Sequence, residues 1–207
     1  MANKKSAPKS YSDFGVADLR EKFGLKDKKQ ALCLDGNLLP ISDWLQTALE
    51  MQKELPVGTE KAKSELIITP VLLELRSKNK TKFTFFSGYT FDVDKEKALT
   101  GRCDYLLIKD AQSVDIESPI IGIFEAKDDN VDRWIGQCGA EMYAARLFNQ
   151  QTHTNIEIIY GGVTNGYEWL FLKLEGDTLY IDTARYSIEN PNKLLAALQT
   201  MIDFYYL

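Results

Sequence analysis

Two carboxylates and one lysine are the residues of this chain whose types and spacing most clearly predict chemistry. Asp104 starts the apolar segment 104–108, and Glu125 and Lys127 end the apolar segment 119–127. If these segments form an antiparallel hairpin, Asp104 and Glu125 are equidistant from the centre of the polar connection 111–118, so their β-carbons face each other roughly 5 Å apart. Glu125 and Lys127 are two residues apart on one strand and therefore point to the same face.

Two carboxylates at that separation repel each other unless a cation lies between them. The chain has one histidine, His153, and three widely spaced cysteines without a C-x-x-C pair, so a zinc site or a His-rich site is not expected. A site made only of oxygen ligands favours Mg²⁺, Mn²⁺ or Ca²⁺. Such a cation polarises a phosphate and lowers the pKa of its bound water, while a neighbouring lysine orients that water and stabilises developing charge. The pattern therefore indicates metal-dependent hydrolysis of phosphodiesters.

The bulk composition bounds the class of protein. The chain has 207 residues, 44% hydrophobic and 27% charged, which is typical of one soluble domain with a small appendage. No apolar run approaches the roughly 20 residues of a membrane span, and no apolar segment follows the basic start, so we expect no membrane partner and a cytoplasmic location. The net charge of −5 argues against nonspecific coating of nucleic acid, but not against an enzyme whose acidic pocket is neutralised by metal.

The N-terminal part of the chain is predicted to be an appendage. Residues 1–12 are polar and basic and are expected to form a disordered tail. Residues 13–56 are expected to form a helical extension, with a first helix, a short strand or turn at 31–37, and a second helix capped by Ser42. The core domain is then 57–207.

In the core, the hydrophobic period changes from helical to strand-like and back. A helix over 59–76 is expected to kink at Pro70, and a long helix over 131–149 carries Gln137. Apolar runs predict six strands, at 83–93, 104–108, 119–127, 156–163, 169–174 and 179–183. A last helix follows Pro191. This order of elements predicts an α/β or α+β sheet flanked by helices.

A resemblance to a known family is carried by Gly101-Arg102-Cys103-Asp104, by the strand that ends in Glu125-Ala126-Lys127, and by the helix with Gln137 and Tyr143. Together they resemble the PD-(D/E)XK nuclease superfamily over about residues 59–180, most of all the nuclease domains of type I restriction motor subunits and RecB-like nucleases. The resemblance implies a restriction-endonuclease-like fold, with a mixed β-sheet flanked by helices, and a nuclease that acts on DNA. Many such nucleases pair to cut two strands, so a homodimer is a further expectation.

The resemblance also implies roles for residues. Asp104, Glu125 and the backbone carbonyl of Ala126 would bind Mg²⁺, with Mn²⁺ as a substitute. Lys127 would position the attacking water.

Further roles fall on the helices that flank this motif. Glu65 matches the superfamily's additional metal-binding glutamate on the helix before the first strand, with Glu74 as a weaker match. Gln137 matches the element that holds the lysine or the substrate. Tyr143 departs from the superfamily's spacing to that glutamine, and Cys103 stands where the superfamily has proline.

The candidates for binding nucleic-acid phosphates are basic residues in the first part of the chain. They are Lys4, Lys5 and Lys9 in the tail, Lys78, Lys80 and Lys82 in a loop, and Arg102 beside Asp104. Solvated surface charge is the alternative explanation for the lysines.

Two other interpretations of the whole chain remain open. The protein could be a nucleic-acid- or protein-binding module that has kept the nuclease fold without catalysis, which the acidic net charge favours. It could also be an unrelated α/β protein with a chance Glu-x-Lys sequence, because that sequence is common.

Overall fold

The computed structural model describes residues 8–34, 36–117, 119–154 and 156–206. Its α-helices are α1 (Val16–Phe23), α2 (Asp43–Met51), α3 (Glu60–Lys63), α4 (Thr69–Lys78), α5 (Ile135–Gln151) and α6 (Pro191–Asp203). Its strands are β1 (Lys26–Lys29), β2 (Thr84–Thr90), β3 (Arg102–Ile108), β4 (Ile120–Ala126), β5 (Ile159–Thr164), β6 (Glu168–Glu175), β7 (Thr178–Ile181) and β8 (Tyr186–Ser187). None of the helices in these ranges is long and apolar enough to cross a membrane.

The strands form one mixed sheet in the order β1-β7-β6-β5-β4-β3-β2, with β8 paired to β6. β1 runs parallel to β7, and β4 runs parallel to β5, while the other pairs are antiparallel. Every residue of β4 is buried, as its almost wholly apolar sequence predicts for a central strand. The predicted α/β class, with a mixed sheet flanked by helices, is confirmed.

Helices cover both faces of the sheet. One hydrophobic cluster joins α1 and α5 to one face, and another joins α2, α4 and α6 to the opposite face. Along β4, Ile123 belongs to the α5 side, whereas Phe124 and Ala126 belong to the other side. Because alternate residues of a strand share a face, Glu125 points toward α5.

The N-terminal segment packs against the sheet. Residues 1–7 lie outside the described ranges, but Tyr11, which falls in the predicted disordered tail, is buried, and its hydroxyl donates a hydrogen bond to the Phe91 carbonyl over 2.8 Å. β1 belongs to the segment predicted as helical, yet it pairs with β7 and extends the sheet. No strand occupies the described part of 31–37. The four residues of β1, Lys-Asp-Lys-Lys, are all exposed, so no apolar alternation marks this strand in the sequence.

The helix predicted over 59–76 is interrupted ahead of Pro70. α3 is followed by a π-helical turn, Ser64–Ile68, and then by α4. Proline has no N–H, and its ring clashes with the carbonyl four residues earlier, so a regular α-helix is disfavoured at this point. A π-helical turn holds more residues than an α-helical turn and therefore rotates the residues before it relative to those after it.

Gly136, near the start of α5, is a point of close approach between the helix and the N-terminal segment. A β-carbon added there would lie 2.5 Å from the backbone of Gly15. We expect Gly136→Ala to lower the free energy of unfolding by about 1–2 kcal/mol, because overlap with fixed backbone outweighs the better helix propensity of alanine. Urea unfolding measures the change. The control is Gly58→Ala, since nothing lies within 4 Å of a β-carbon added at Gly58; equal stability of the two variants would contradict this docking.

Candidate active site

The register of β3 and β4 places Asp104 opposite Glu125. Tyr105 pairs with Phe124, and the next pair in the same register is Asp104 with Glu125. The Ala126 N–H donates a hydrogen bond to Asp104 Oδ2 over 2.8 Å, which ties the two strands together at this end. This is the arrangement predicted from the equal spacing of the two acids about the connecting loop.

Lys127 is held between an acid and an aromatic ring. Its Nζ lies 2.6 Å from Glu125 Oε1 and 4.4 Å from the centre of the Trp134 ring. Trp134 is fixed in turn, because its indole N–H donates to Asp129 Oδ1 over 2.7 Å. Burial lowers the pKa of Lys127, but Glu125, Glu60 and Asp104 together outweigh burial and the net shift of its pKa is upward. Lys127 therefore stays an ammonium group although it is 9% exposed.

Helix α5 brings a glutamine and a third acid to the site. Gln137 Nε2 donates hydrogen bonds to Glu125 Oε1 and to Glu141 Oε1, the latter over 3.1 Å. The structure thus brings Gln137 to the site, where it contacts Glu125 rather than the lysine that the resemblance implied as one of its partners. Glu141 is fully buried and is not singled out by the sequence analysis. Its offset of four residues from Gln137, which puts both side chains on one helix face, is the signal that could have identified it.

Three buried oxygens of this group have no hydrogen-bond partner among the described residues: Glu125 Oε2, Gln137 Oε1 and Glu141 Oε2. Buried carboxylate oxygens are normally hydrogen-bonded or bound to a cation, because leaving them unsatisfied costs free energy. Oε1 of Glu125 contacts Lys127 and Gln137, whereas Oε2 has no hydrogen-bond donor among the described residues. The same side chain lies opposite Asp104 across the two strands. These two carboxylates fit a small divalent cation that keeps several water ligands.

Burial raises the pKa of three carboxyl groups at the site. Burial and then the charge of Asp104 raise the pKa of Glu125 to about 8, although Lys127 opposes the shift. Burial also raises the pKa of Asp104, although the Ala126 N–H opposes it. Burial and the charge of Glu125 raise the pKa of Glu141. Of the three, Glu125 tends to keep its proton at neutral pH when no cation is bound.

Two glutamates on the interrupted helix occupy different places. The Glu65 side chain is 63% exposed and lies 3.8 Å from Lys61, so the structure does not bring it to the paired carboxylates as the resemblance predicts. Glu60 is electrostatically coupled to the site: burial raises its pKa, Lys127 lowers it, and Asp104 raises it. Glu60 and Glu65 therefore lie in different surroundings on the interrupted helix, with Glu60 coupled to Lys127 and Asp104 and Glu65 beside Lys61 in solvent.

Glu74, the weaker match, has a structural role. Its carboxylate accepts hydrogen bonds from the Ser42 N–H over 2.9 Å and from the Ser42 hydroxyl over 2.7 Å, at the start of α2. Lys78 lies 3.2 Å from the same carboxylate. Glu74 and Lys78 therefore belong to the junction of α2 and α4, and the structure does not place them at the site.

The other lysines of the predicted phosphate-binding loop lie at the far end of the hairpin. Lys80 and Lys82 precede β2, whose first residue, Thr84, pairs with Ile108 at the end of β3 remote from Asp104. Lys82 is also paired with an acid of α6 over 2.6 Å. These lysines are thus separated from the paired carboxylates by the length of a strand.

Arg102 lies at the near end of β3. Its guanidinium covers Gly88 on β2, where a β-carbon would lie 2.5 Å from Nη2, and its charge is among the influences that lower the pKa of Asp104. Among the described candidates for phosphate binding, Arg102 is therefore the one that lies beside Asp104. Of the tail lysines, Lys4 and Lys5 lie outside the described residues and Lys9 is exposed.

Neither protein-family models nor curated proteins match this chain. The function must therefore be argued from the site. Within the described ranges, no group of three or more His, Cys, Asp or Glu side chains is arranged to hold a metal ion. A cation at Asp104 and Glu125 would need backbone, water and substrate oxygens to complete its coordination.

The raised carboxyl pKa values predict that the protein loses stability as the pH rises. The pKa of Glu125 is about 8 in the folded chain against an ordinary 4.5, so the folded state holds a proton that the unfolded state has released. Stabilisation from this group is complete below about pH 4.5 and is lost as the pH rises through about 8. In EDTA, calorimetry should show the thermal midpoint falling from about pH 6 to about pH 8.5 by more in the wild type than in Glu125→Gln.

The control for this measurement is Glu21→Gln, which removes an exposed carboxylate on α1. This variant should follow the wild-type pH dependence. Equal slopes for the wild type and Glu125→Gln would contradict the raised pKa of Glu125.

Proposed function

We propose that this chain is a Mg²⁺-dependent nuclease of the PD-(D/E)XK superfamily that hydrolyses phosphodiester bonds in DNA. The observation that carries the proposal is a largely buried trio: Asp104 lies opposite Glu125 across β3 and β4, and the Lys127 ammonium lies 2.6 Å from Glu125. A pair of acids with an adjacent ammonium group is the set of side chains that metal-assisted phosphodiester hydrolysis needs.

The order of elements supports the superfamily assignment. α4 precedes the antiparallel strands β2, β3 and β4, α5 follows β4, and β5 returns parallel to β4. This is the helix–strand–strand–strand–helix–strand order that the resemblance implies. Both acids lie on neighbouring strands of this unit, which is consistent with a restriction-endonuclease-like fold.

The residues that would hold Mg²⁺ are Asp104, Glu125 and the backbone carbonyl of Ala126, together with water and substrate oxygens. Glu125 offers Oε2, which has no partner among the described residues. A metal held there would polarise the phosphate and lower the pKa of a coordinated water. Mn²⁺ suits the same oxygen ligands and should substitute for it.

Lys127 supplies a fixed positive charge. Glu125 and Trp134 hold its ammonium group, so it can donate a hydrogen bond to the attacking water and stabilise negative charge on the phosphate without first reorganising. Gln137 donates to the same oxygen of Glu125 as Lys127 and so restrains that carboxylate. Glu60 adds negative charge close to Lys127.

The charge distribution favours a second candidate, a nucleic-acid- or protein-binding module that keeps the nuclease fold without catalysis. The net charge is −5, and Lys80 and Lys82 lie away from the site. A calorimetric Mg²⁺ titration distinguishes the candidates. Binding that disappears in Asp104→Asn supports the nuclease, whereas the absence of such binding supports the module.

Lys127→Met is expected to reduce DNA cleavage by about 100-fold or more while Mg²⁺ binding persists, because the lysine stabilises charge and is not a metal ligand. Asp104→Asn should lose both cleavage and metal binding. Cleavage is measured on supercoiled, linear, single-stranded and branched DNA and on RNA, with Mg²⁺ or Mn²⁺. Lys29→Met, which removes an exposed lysine on β1, controls for the loss of one charge. A wild type that cuts none of these substrates with either metal would rule out the nuclease.

Glu60 and Glu65 offer a matched pair for testing which acid of the interrupted helix serves the site. We expect Glu60→Gln to raise the Mg²⁺ concentration needed for half-maximal cleavage by about 10-fold, as removal of a supporting group at a metal site does. Glu65→Gln should leave that concentration unchanged, because the Glu65 side chain is mostly exposed beside Lys61. The reverse ranking of the two variants would contradict the placement of this helix.

A further inference from the structure

Glu141 is a buried acid for which the mechanism above has no direct task. It lies one helical turn after Gln137 on α5, so both side chains share the helix face that packs on β4. Glu141 is 0% exposed and Gln137 is 4% exposed. Burying a carboxyl group costs free energy, and an apolar side chain of similar volume would avoid that cost. Packing alone therefore does not account for an acid at this position.

The contacts of Gln137 connect Glu141 to Glu125. A glutamine side chain has two N–H donors on one nitrogen, and Gln137 Nε2 faces a carboxylate oxygen of Glu125 and, over 3.1 Å, one of Glu141. The opposite orientation of the amide would set its carbonyl oxygen against two acceptor oxygens, one of which also contacts Lys127. Both donors are therefore committed, and the plane of the amide is determined by having an acceptor on each side.

The same chain of contacts reaches Glu125. Oε1 of Glu125 receives hydrogen bonds from Gln137 and Lys127, while Oε2 has no partner among the described residues. Two donors on one oxygen restrain rotation of the carboxylate and leave the other oxygen without a donor from the described residues. Removing Glu141 would leave one N–H of Gln137 without its acceptor in a buried place, and the amide would lose one of the two contacts that orient it.

We propose that Glu141 is a positioning residue, which acts through Gln137 to hold the Glu125 carboxylate with Oε2 available to a divalent cation. The proposal rests on the proposed function. Groups that orient a metal ligand without touching the metal typically contribute 10–100-fold to affinity or activity.

The test replaces Glu141 in three ways. Glu141→Leu and Glu141→Met remove the acceptor at similar volume, and either serves if the other fails to fold. Glu141→Gln keeps a carbonyl oxygen that can accept from Gln137, and should restore function. Met142→Leu, a buried substitution on α5 outside the hydrogen-bonded chain, is the packing control.

Three readouts are compared. The first is kcat and KM for DNA cleavage at saturating Mg²⁺. The second is the Kd for Mg²⁺ by calorimetry, and the third is stability in urea. For Glu141→Leu we expect a Kd for Mg²⁺ about 10-fold higher and a kcat about 10-fold lower, with KM for DNA unchanged. Glu141→Gln should have a Kd for Mg²⁺ and a kcat near those of the wild type. Ranking the variants by stability in urea should not reproduce their ranking by Kd or by kcat.

A double-mutant cycle identifies the route of the effect, because the Glu141 carboxyl also lies within direct hydrogen-bonding reach of Glu125. If Glu141 acts through Gln137, then Gln137→Leu and the double variant Gln137→Leu/Glu141→Leu should bind Mg²⁺ equally well. Additive losses would mean that Glu141 acts on Glu125 without Gln137, and would overturn the proposal.

Failure of this proposal can be told apart from failure of the proposed function. If the wild type cleaves DNA but Glu141→Leu matches it in kcat and in Kd for Mg²⁺, only the role of Glu141 is refuted. If the wild type binds Mg²⁺ without cleaving, the nuclease is refuted, and the Kd values of the same variants still decide the role of Glu141. If the wild type does not bind Mg²⁺, both proposals fall.

Discussion

The antiparallel register of β3 and β4 is the constraint on which the rest of the site depends. It sets two carboxylates side by side within a buried region of the sheet, where burial raises the pKa of both and the charge of Asp104 raises the pKa of Glu125 further. The surrounding groups reduce the cost of ionising these acids: Lys127 supplies a counter-charge, and the Ala126 N–H and Gln137 donate hydrogen bonds. A one-residue slip between the strands would move one acid to the opposite face and abolish the pair of Asp104 and Glu125.

The burial that raises the free-energy cost of ionising the acids also strengthens the electrostatic interactions of the Lys127 ammonium group. Electrostatic interactions are stronger where water is excluded, so an ammonium group fixed between Glu125 and Trp134 has a larger effect on a phosphate than a solvated lysine would have. The protein accepts raised carboxyl pKa values and unsatisfied oxygens at one end of its central strands. Under the proposed function, the protein gives up stability at this point for a catalytic site.

An element could be predicted from the sequence where its own residues show a hydrophobic pattern, and could not be predicted where they do not. β4 is buried on both faces and α5 is long, so each is marked by its own residues. β1 is an exposed edge strand with a charged sequence, and its pairing with β7 joins segments about 150 residues apart, so no local pattern marks it. Pro70 indicated an interruption of its helix, but not the π-helical turn that rotates the residues before it.

The sequence by itself determined the pairing of Asp104 with Glu125, because strand periodicity and the length of one hairpin are local properties. Only the tertiary structure decided that Glu60, and not Glu65, is coupled to this pair, and that Glu141 reaches it through a glutamine. Those relations depend on how α5 and the interrupted helix pack on the sheet. Such packing joins segments far apart in the chain, and their mutual rotation is set by side-chain contacts that spacing along the sequence does not encode.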